Sequence, residues 1–300
     1  MDQLINLFTY DEQTNYWDFK TGDWWKLDEI ITADNLTWSK AYEFEESLDY
    51  TAIHIWFQDN WWISVVIAAV YVCLVFGGQA YMKNRERYTL QKALIVWNII
   101  IAIFSIIGTV RVWQVWLEMG WRHGIKGTIC RSEYYTSPVS NFWGTMFMLS
   151  KIPELIDTAF IVLRKQKLIF LHWYHHITVL MYCWYTFRDR TSGVQWYVGM
   201  NFFVHALMYT YYACRALKIK IPRSIAMTIT ALQLSQMFVG VWVQFYIYSV
   251  RKDVGCPTHY YNLRAASVMY GSYYLLFAQF FIKAYIFPSK KPVADEKKSK

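Results

Sequence analysis

The sequence predicts an all-α, polytopic membrane protein, and three observations carry that prediction. Of 300 residues, 55% are hydrophobic and 20% aromatic. The apolar residues gather into runs long enough to cross a bilayer as helix, about 20 residues each, separated by short and mostly basic connections. Charge is segregated as well. Residues 1–60 hold 13 acidic and 3 basic side chains and the remainder 9 acidic and 27 basic, for a net charge of +8. A basic chain can serve nucleic acid, but here the charges lie between spans. There they set topology and meet anionic ligands or headgroups, so no nucleic-acid partner is expected. The five cysteines form no CxxC pair, which argues against zinc ribbons and redox motifs.

Three parts follow in chain order: residues 1–60, an acidic, aromatic-rich segment; 61–287, a helical membrane domain; and 288–300, a basic tail. The first segment is expected outside the membrane, with some amphipathic helix. It lacks a basic stretch followed by an apolar core, so no signal peptide is expected. Asn35-Leu36-Thr37 makes Asn35 a candidate glycosylation site. Seven spans are expected: Trp61–Tyr81, Ala93–Leu117, Val139–Leu163, Leu168–Phe187, Val194–Ala213, Ser224–Tyr248 and Leu263–Phe287.

Topology comes from the connections. Those after the first, third and fifth spans carry eleven Lys/Arg and one acid, Glu86. Those after the second, fourth and sixth carry eight Lys/Arg, mixed with Glu118, Glu133, Asp189 and Asp253. The positive-inside rule puts the first set and the tail in the cytosol and the N-terminus in the lumen. The terminal Lys297-Lys298-Ser299-Lys300 resembles a dilysine retrieval signal, which implies the endoplasmic reticulum. Cys130 and Cys256 then fall in lumenal connections, where an oxidising compartment favours a disulfide between them.

Polar residues inside spans carry the most information. In the fourth span, LIFLHWYHHITVLMYCWYTF, His172, His175 and His176 sit at i, i+3 and i+4 and crowd one helix face. Imidazoles are costly in hydrocarbon and line cavities or polar paths. The third span carries Lys151, Glu154 and Thr158 on one face with Asp157 beside them. The fifth carries Asn201, His205, Met208 and Tyr209, and the sixth Gln233 and Gln236. At 1.5 Å rise per residue, Asp157, His175, His205 and Gln233 all fall about 9–14 Å from the same end. Four stripes at one depth predict one shared interior.

Several chemistries fit. Buried Gln and Asn can simply tie helices together, and Lys151/Glu154 can be a structural ion pair. HxxHH occurs in membrane di-iron enzymes, but those need about twice the four imidazoles within these spans. His54, His123 and His259 lie outside them. Three histidines with Asp157 or Glu154 as base fit a zinc-dependent lipid hydrolase. A non-catalytic lipid-binding receptor or carrier also fits. Without metal, His175 and His205 serve as nucleophile and general acid/base, Asp157 fixes a histidine tautomer, and the Tyr209 hydroxyl donates to an oxyanion.

KIPELIDT at 151–158, HWYHH at 172–176, NFFVHALMY at 201–209 and QLSQ at 233–236 resemble, in order, the signature motifs of the very-long-chain fatty acid elongases. The resemblance covers about residues 60–288. Tyr174 and the adjoining 164–170 stretch are similar to the branch acting on saturated and monounsaturated chains. The resemblance implies seven transmembrane helices, six of them enclosing an acyl tunnel. It implies condensation of a long-chain acyl-CoA with malonyl-CoA to 3-oxoacyl-CoA, CO2 and CoA, with no metal or cofactor. It implies His175 as acyl-accepting nucleophile and His205 as proton-transfer partner, with His172, His176, Asp157, Lys151, Glu154, Asn201 and Gln236 orienting or stabilising them. Arg164, Lys165, Lys167, Arg215, Lys218 and Lys283 become candidates for the CoA phosphates. Membrane lipid and a ketoreductase, a dehydratase and an enoyl reductase are the implied partners.

Overall fold

The computed structural model describes residues 8–11, 16–19, 37–130, 137–189, 191–250, 256 and 258–287. Asn35 and the basic tail lie outside the described residues, as do Arg131, Glu133, Arg190, Arg251, Lys252 and Asp253.

The chain departs from the all-α expectation at its start. Two strands, β1 (Phe8–Asp11) and β2 (Tyr16–Phe19), pair antiparallel with Phe8 opposite Phe19. FTYD and YWDF are aromatic and β-branched, a composition that suits a pleated pair. Helix then takes over with α1 (Glu43–Glu46) and α2 (Tyr50–Asn60), where the Asp49 side chain accepts from the Ala52 N–H and caps the first turn.

Each expected span is helical. They are α3 (Ile63–Met82), α4 (Gln91–Cys130), α5 (Pro138–Ser150) with α6 (Ile156–Leu163), α7 (Phe170–Arg188), α8 (Val194–Ala216), α9 (Arg223–Ser249) and α10 (Tyr260–Phe281). Among the described residues, four helices are long and apolar enough to cross a membrane: Ile63–Met82, Gln91–Cys130, Arg223–Ser249 and Tyr260–Ile286. The third expected span is cut in two because Pro153 has no N–H to continue the helix. The chain passes through a 3-10 turn at Pro153–Leu155, and the Leu149 carbonyl takes the Ile152 N–H instead. α7 and α8 are long enough, but histidines, Tyr, Gln and Asn dilute their apolar surface.

The connection expected after residue 117 is also helix. α4 continues to Cys130 with a bend at Gly124, whose φ of 64° and ψ of −170° suit glycine. The extension holds because Glu118 pairs with Arg122 one turn on at 2.6 Å and because Met119, Ile129 and Cys130 are buried.

Helix contacts close a ring: α4 packs on α8, α8 on α9, α9 on α10, α10 on α7, α7 on α5, and α5 on α4. α3 lies outside, against α6 and α7. The α4–α8 seam is tight at Gly108, where an added Cβ would come within 2.5 Å of the Phe202 ring. Small residues allow that approach between membrane helices.

One end of the ring is tied covalently and capped. Cys130 and Cys256 form a disulfide, the Gly193 N–H donates to the Ile129 carbonyl at 2.7 Å, and Trp196 Nε1 donates to Thr128 Oγ1 at 3.0 Å. Residues 37–60 pack at this end. Phe57 meets Trp184 and Phe187 edge-on at 5.0 and 4.9 Å. Glu118 accepts from the Thr37 and Trp38 N–H groups at 2.7 and 2.8 Å. Glu45, fully buried, accepts from Arg111 at 2.8 and 2.5 Å, from Trp143 Nε1 at 2.7 Å and from the Tyr42 N–H at 2.9 Å. Burial pushes the Glu45 pKa up, but the donors, Arg111 foremost, outweigh it and hold the carboxyl below its ordinary value.

A carboxylate with a depressed native pKa stabilises the fold above its unfolded value, about 4.3 for Glu. That contribution fades as pH falls through the lower native value. Limited proteolysis of the 37–60 segment should therefore be slow at neutral pH and rise only on acidification below that range. Glu45→Ala should make the segment cleavable at pH 7. Equal cleavage of variant and parent at pH 7 would remove this role for Glu45.

Candidate functional site

The polar stripes on α6, α7, α8 and α9 meet in one cavity of about 180 Å³, walled by Asp157, His175, His205 and Gln233 together with Glu154, His172, His176 and Tyr209. Phe277 and Phe280 of α10 add an apolar wall. A second cavity of about 530 Å³ opens at the end away from the disulfide and shares Asp157, His172 and Tyr212 with the first. Arg164, Arg215 and Lys218 line it, along with Gln91 and Gln166. A basic mouth thus leads to a histidine-lined interior, with His172 at the junction.

Each charge inside is met by the protein. Lys151 Nζ donates to Glu154 Oε1 at 2.8 Å and to Asn201 Oδ1 at 3.2 Å, and sits 4.0 Å over the Phe147 ring. Ser150 Oγ donates to the same Glu154 oxygen at 2.9 Å, which lies 4.0 Å from His205 Nδ1. This pair, on the two sides of the Pro153 break, therefore backs His205. Lys151 and Asn201 stand behind the cavity wall instead of lining it.

Asp157 is placed differently from expectation. Its carboxylate accepts from Trp97 Nε1 at 2.6 Å and from the Tyr209 hydroxyl at 2.5 Å, and neither partner is a histidine. Fixing a histidine tautomer is thus not what its hydrogen bonds do. The Tyr209 hydroxyl is committed to Asp157, so it is not a free oxyanion donor. The reason is packing: Trp97 on α4 and Tyr209 on α8 close over α6 from both sides.

Among the histidines, His172 Nε2 is 2.9 Å from Thr158 Oγ1, and the His172 ring lies tilted against that of His176 with centroids 4.5 Å apart. The His175 ring rests on Tyr273 at 4.8 Å and faces Phe277 at 6.2 Å. The Tyr273 hydroxyl donates to the His175 carbonyl at 3.2 Å, which fixes that turn of α7. His175 Nδ1 and His176 Nδ1 are buried and have no hydrogen-bond partner among the described residues. Such orphans in a native interior call for an explanation, and a bound substrate group is one. Among the described residues, no group of three or more His, Cys, Asp or Glu is arranged to hold a metal ion.

Gln233 Nε2 donates to Met208 Sδ at 3.2 Å, while Gln236 is buried outside the cavity lining. Of the basic residues expected near phosphate, Lys165, Lys167 and Lys283 line neither cavity, and Lys165 Nζ donates to the Lys83 carbonyl at 3.1 Å. Sequence reasoning missed Trp97, Tyr71 and Tyr273. The first two sit in otherwise ordinary apolar spans, where an aromatic residue reads as packing.

Comparison with known proteins gives a consistent likeness. The ELO: GNS1/SUR4 family matches residues 56–293. Very long chain fatty acid elongase 6 of Gallus gallus is 44% identical over 247 residues, 82% of this chain and 93% of that protein. The human protein of the same name is 43% identical over 257 residues, 86% of this chain and 97% of its own. Human very long chain fatty acid elongase 3 is 44% identical over 267 residues, 87% of this chain and 98% of its own.

The Lys151–Glu154 pair offers a test that needs no likeness. Removing one partner of a buried ion pair costs about 3–5 kcal/mol, whereas replacing both by apolar residues is often nearly neutral. Glu154→Ala should lower the unfolding temperature of the purified protein strongly, and Lys151→Met with Glu154→Leu should recover most of it. A double variant less stable than the single one would show that the charge pairing is not what matters.

Proposed function

Because the chain belongs to the ELO: GNS1/SUR4 family, and is with it a condensing enzyme of fatty acid elongation, we propose that it joins a long-chain acyl-CoA to malonyl-CoA through an acyl-histidine at His175. As a 3-oxoacyl-CoA synthase it takes acyl-CoA and malonyl-CoA as substrates and works in membrane lipid. The preference proposed for saturated and monounsaturated chains rests on the likeness to elongases 6 and 3.

The observation that carries the mechanism is the His175 ring, which walls the inner cavity, is held by Tyr273 and keeps an unpartnered nitrogen. An imidazole nitrogen attacks the thioester carbonyl, an N–C bond forms and the C–S bond breaks. CoA leaves with the proton that the imidazole gives up. Malonyl-CoA then loses CO2, and the enolate that remains attacks the acyl carbonyl. A C–C bond forms, the C–N bond breaks and His175 takes up a proton. His205, backed by Glu154 and Lys151, is the group that handles this proton. His176 and Gln233 line the space around the acyl carbon. No metal or prosthetic group enters the scheme.

The basic mouth suits the CoA end. Arg164, Arg215 and Lys218 line it, and guanidinium and ammonium groups pair well with phosphate. The six-sided ring would wall the acyl chain, with all seven helical stretches crossing the bilayer. The mouth would then open to the cytosol, with the disulfide end and N-terminus in the lumen of the endoplasmic reticulum. Asn35 would be available for glycosylation there and the tail for retrieval. The 3-oxoacyl product calls for a ketoreductase, a dehydratase and an enoyl reductase in turn.

Intact-mass spectrometry after exposure to a long-chain acyl-CoA, without malonyl-CoA, tests the covalent step. A mass gain of one acyl group that maps to His175 is expected, and His175→Ala should neither gain it nor condense while remaining folded in the membrane. A folded His175→Ala protein turning over at the parent rate would end the assignment. Dialysis against a strong chelator should leave condensation unchanged. Loss of activity restored by zinc or iron would return the reading to a metal-dependent enzyme.

A further inference from the structure

α3 stands outside the ring, yet it sends one hydroxyl inward. Tyr71, buried on that helix, has its OH 2.7 Å from Thr158 Oγ1, and the fully buried Thr158 Oγ1 is 2.9 Å from His172 Nε2. The three groups form a line from the outer helix, through α6, to the junction of the two cavities. The surroundings of its outer half are apolar. Tyr71 and Thr158 line a groove of about 260 Å³ whose other walls are aliphatic, Ile67, Leu74, Leu155 and Val162 among them.

Counting hydrogens along this line fixes its direction. A threonine hydroxyl has one hydrogen to give. If His172 Nε2 carried a hydrogen and donated to Thr158, then either Thr158 would donate to Tyr71, leaving the Tyr71 hydrogen against an aliphatic wall, or Thr158 would accept from both neighbours and its own hydrogen would have no acceptor among the described residues. Either way a buried donor is left unmet, which is costly. The reverse arrangement gives both hydroxyl hydrogens an acceptor: Tyr71 donates to Thr158, Thr158 donates to His172 Nε2, and the ring hydrogen sits on Nδ1. Which imidazole nitrogen holds the hydrogen is set by the partner of the other.

We propose that Tyr71 is a positioning residue for the condensation, acting through Thr158 to hold His172 in its Nδ1–H tautomer where the basic mouth meets the histidine cavity. This rests on the reading of His172 as part of the condensing site. The outer helix thereby reaches the chemistry without lining either histidine-bearing cavity. Without the Tyr71 hydroxyl nothing opposes donation from His172 to Thr158, and the other tautomer becomes populated at the expense of the Nδ1–H form.

The test is steady-state condensation by the purified full chain, with thermal unfolding measured beside it. Tyr71→Phe keeps the ring and should unfold near the parent temperature. Its kcat should fall about three- to tenfold, the scale of one neutral hydrogen bond, with KM for acyl-CoA unchanged. Thr158→Val should fall at least as far, Thr158→Ser should retain parent kcat, and Tyr71→Phe with Thr158→Val should be no worse than Thr158→Val alone, because the two act in series. Parent kcat in Tyr71→Phe, multiplied losses in the double variant, or a Thr158→Ser as impaired as Thr158→Val would each overturn the inference while leaving the condensing function standing. A parent protein that forms no 3-oxoacyl-CoA would overturn both.

Discussion

Polar groups withdrawn from water must be satisfied by the protein itself, and this constraint organises the molecule. Lys151, Glu154 and Asp157 share one short stretch around a proline break, and none of them could stand there alone. Lys151 needs Glu154 and Asn201, Glu154 also takes Ser150, and Asp157 takes Trp97 and Tyr209. The donors come from α4, α5 and α8 as well as from the break. Meeting these needs therefore pulls the helices into a closed arrangement, and the histidines of α7 and α8 are carried to one place as a consequence.

The two halves of the site differ in what they ask of the chain. The mouth is the larger of the two and is basic, suited to a strongly anionic and water-soluble group. The inner cavity is small, with imidazoles on one side and Phe277 and Phe280 on the other. A substrate with a charged head and a long apolar tail matches that sequence of environments, and the reacting carbonyl falls between them. The chemistry is thus placed where the lining changes from charged to apolar.

Much of this was legible in the sequence because hydrocarbon makes patterns stark. A histidine or carboxylate in an apolar run stands out, and its offset from the span end gives its depth. Asp157, His175, His205 and Gln233 could be brought to one level on that basis, and they do line one cavity. The partners of those groups were not legible. Trp97 and Tyr71 carry one donor each on a large apolar body, so in an aromatic-rich span they look like packing, and only the fold shows where the donor points. The hydrogen bonds of Asp157 were misread for the same reason. Nor could the stretch from Glu118 to Cys130 be identified as helix from its own residues. Besides the Glu118–Arg122 pair, it rests on burial and on donors to Glu118 from Thr37 and Trp38, some 80 positions away, which no local reading supplies. The β1–β2 pair escaped notice because each strand is only four residues long.

The disulfide has a consequence for how the ring can move. It closes a covalent loop over 126 positions, from the end of α4 to the start of α10, and α5 to α9 all lie within that macrocycle. At the tied end the walls cannot part without carrying both anchors along, so that end behaves as a hinge. Breathing of the ring is left to the opposite end, among α3, α6, α7 and the start of α9, where no covalent tie crosses between helices among the described residues. A guest longer than the cavity would therefore enter from the untied side, with its tip toward the tied end.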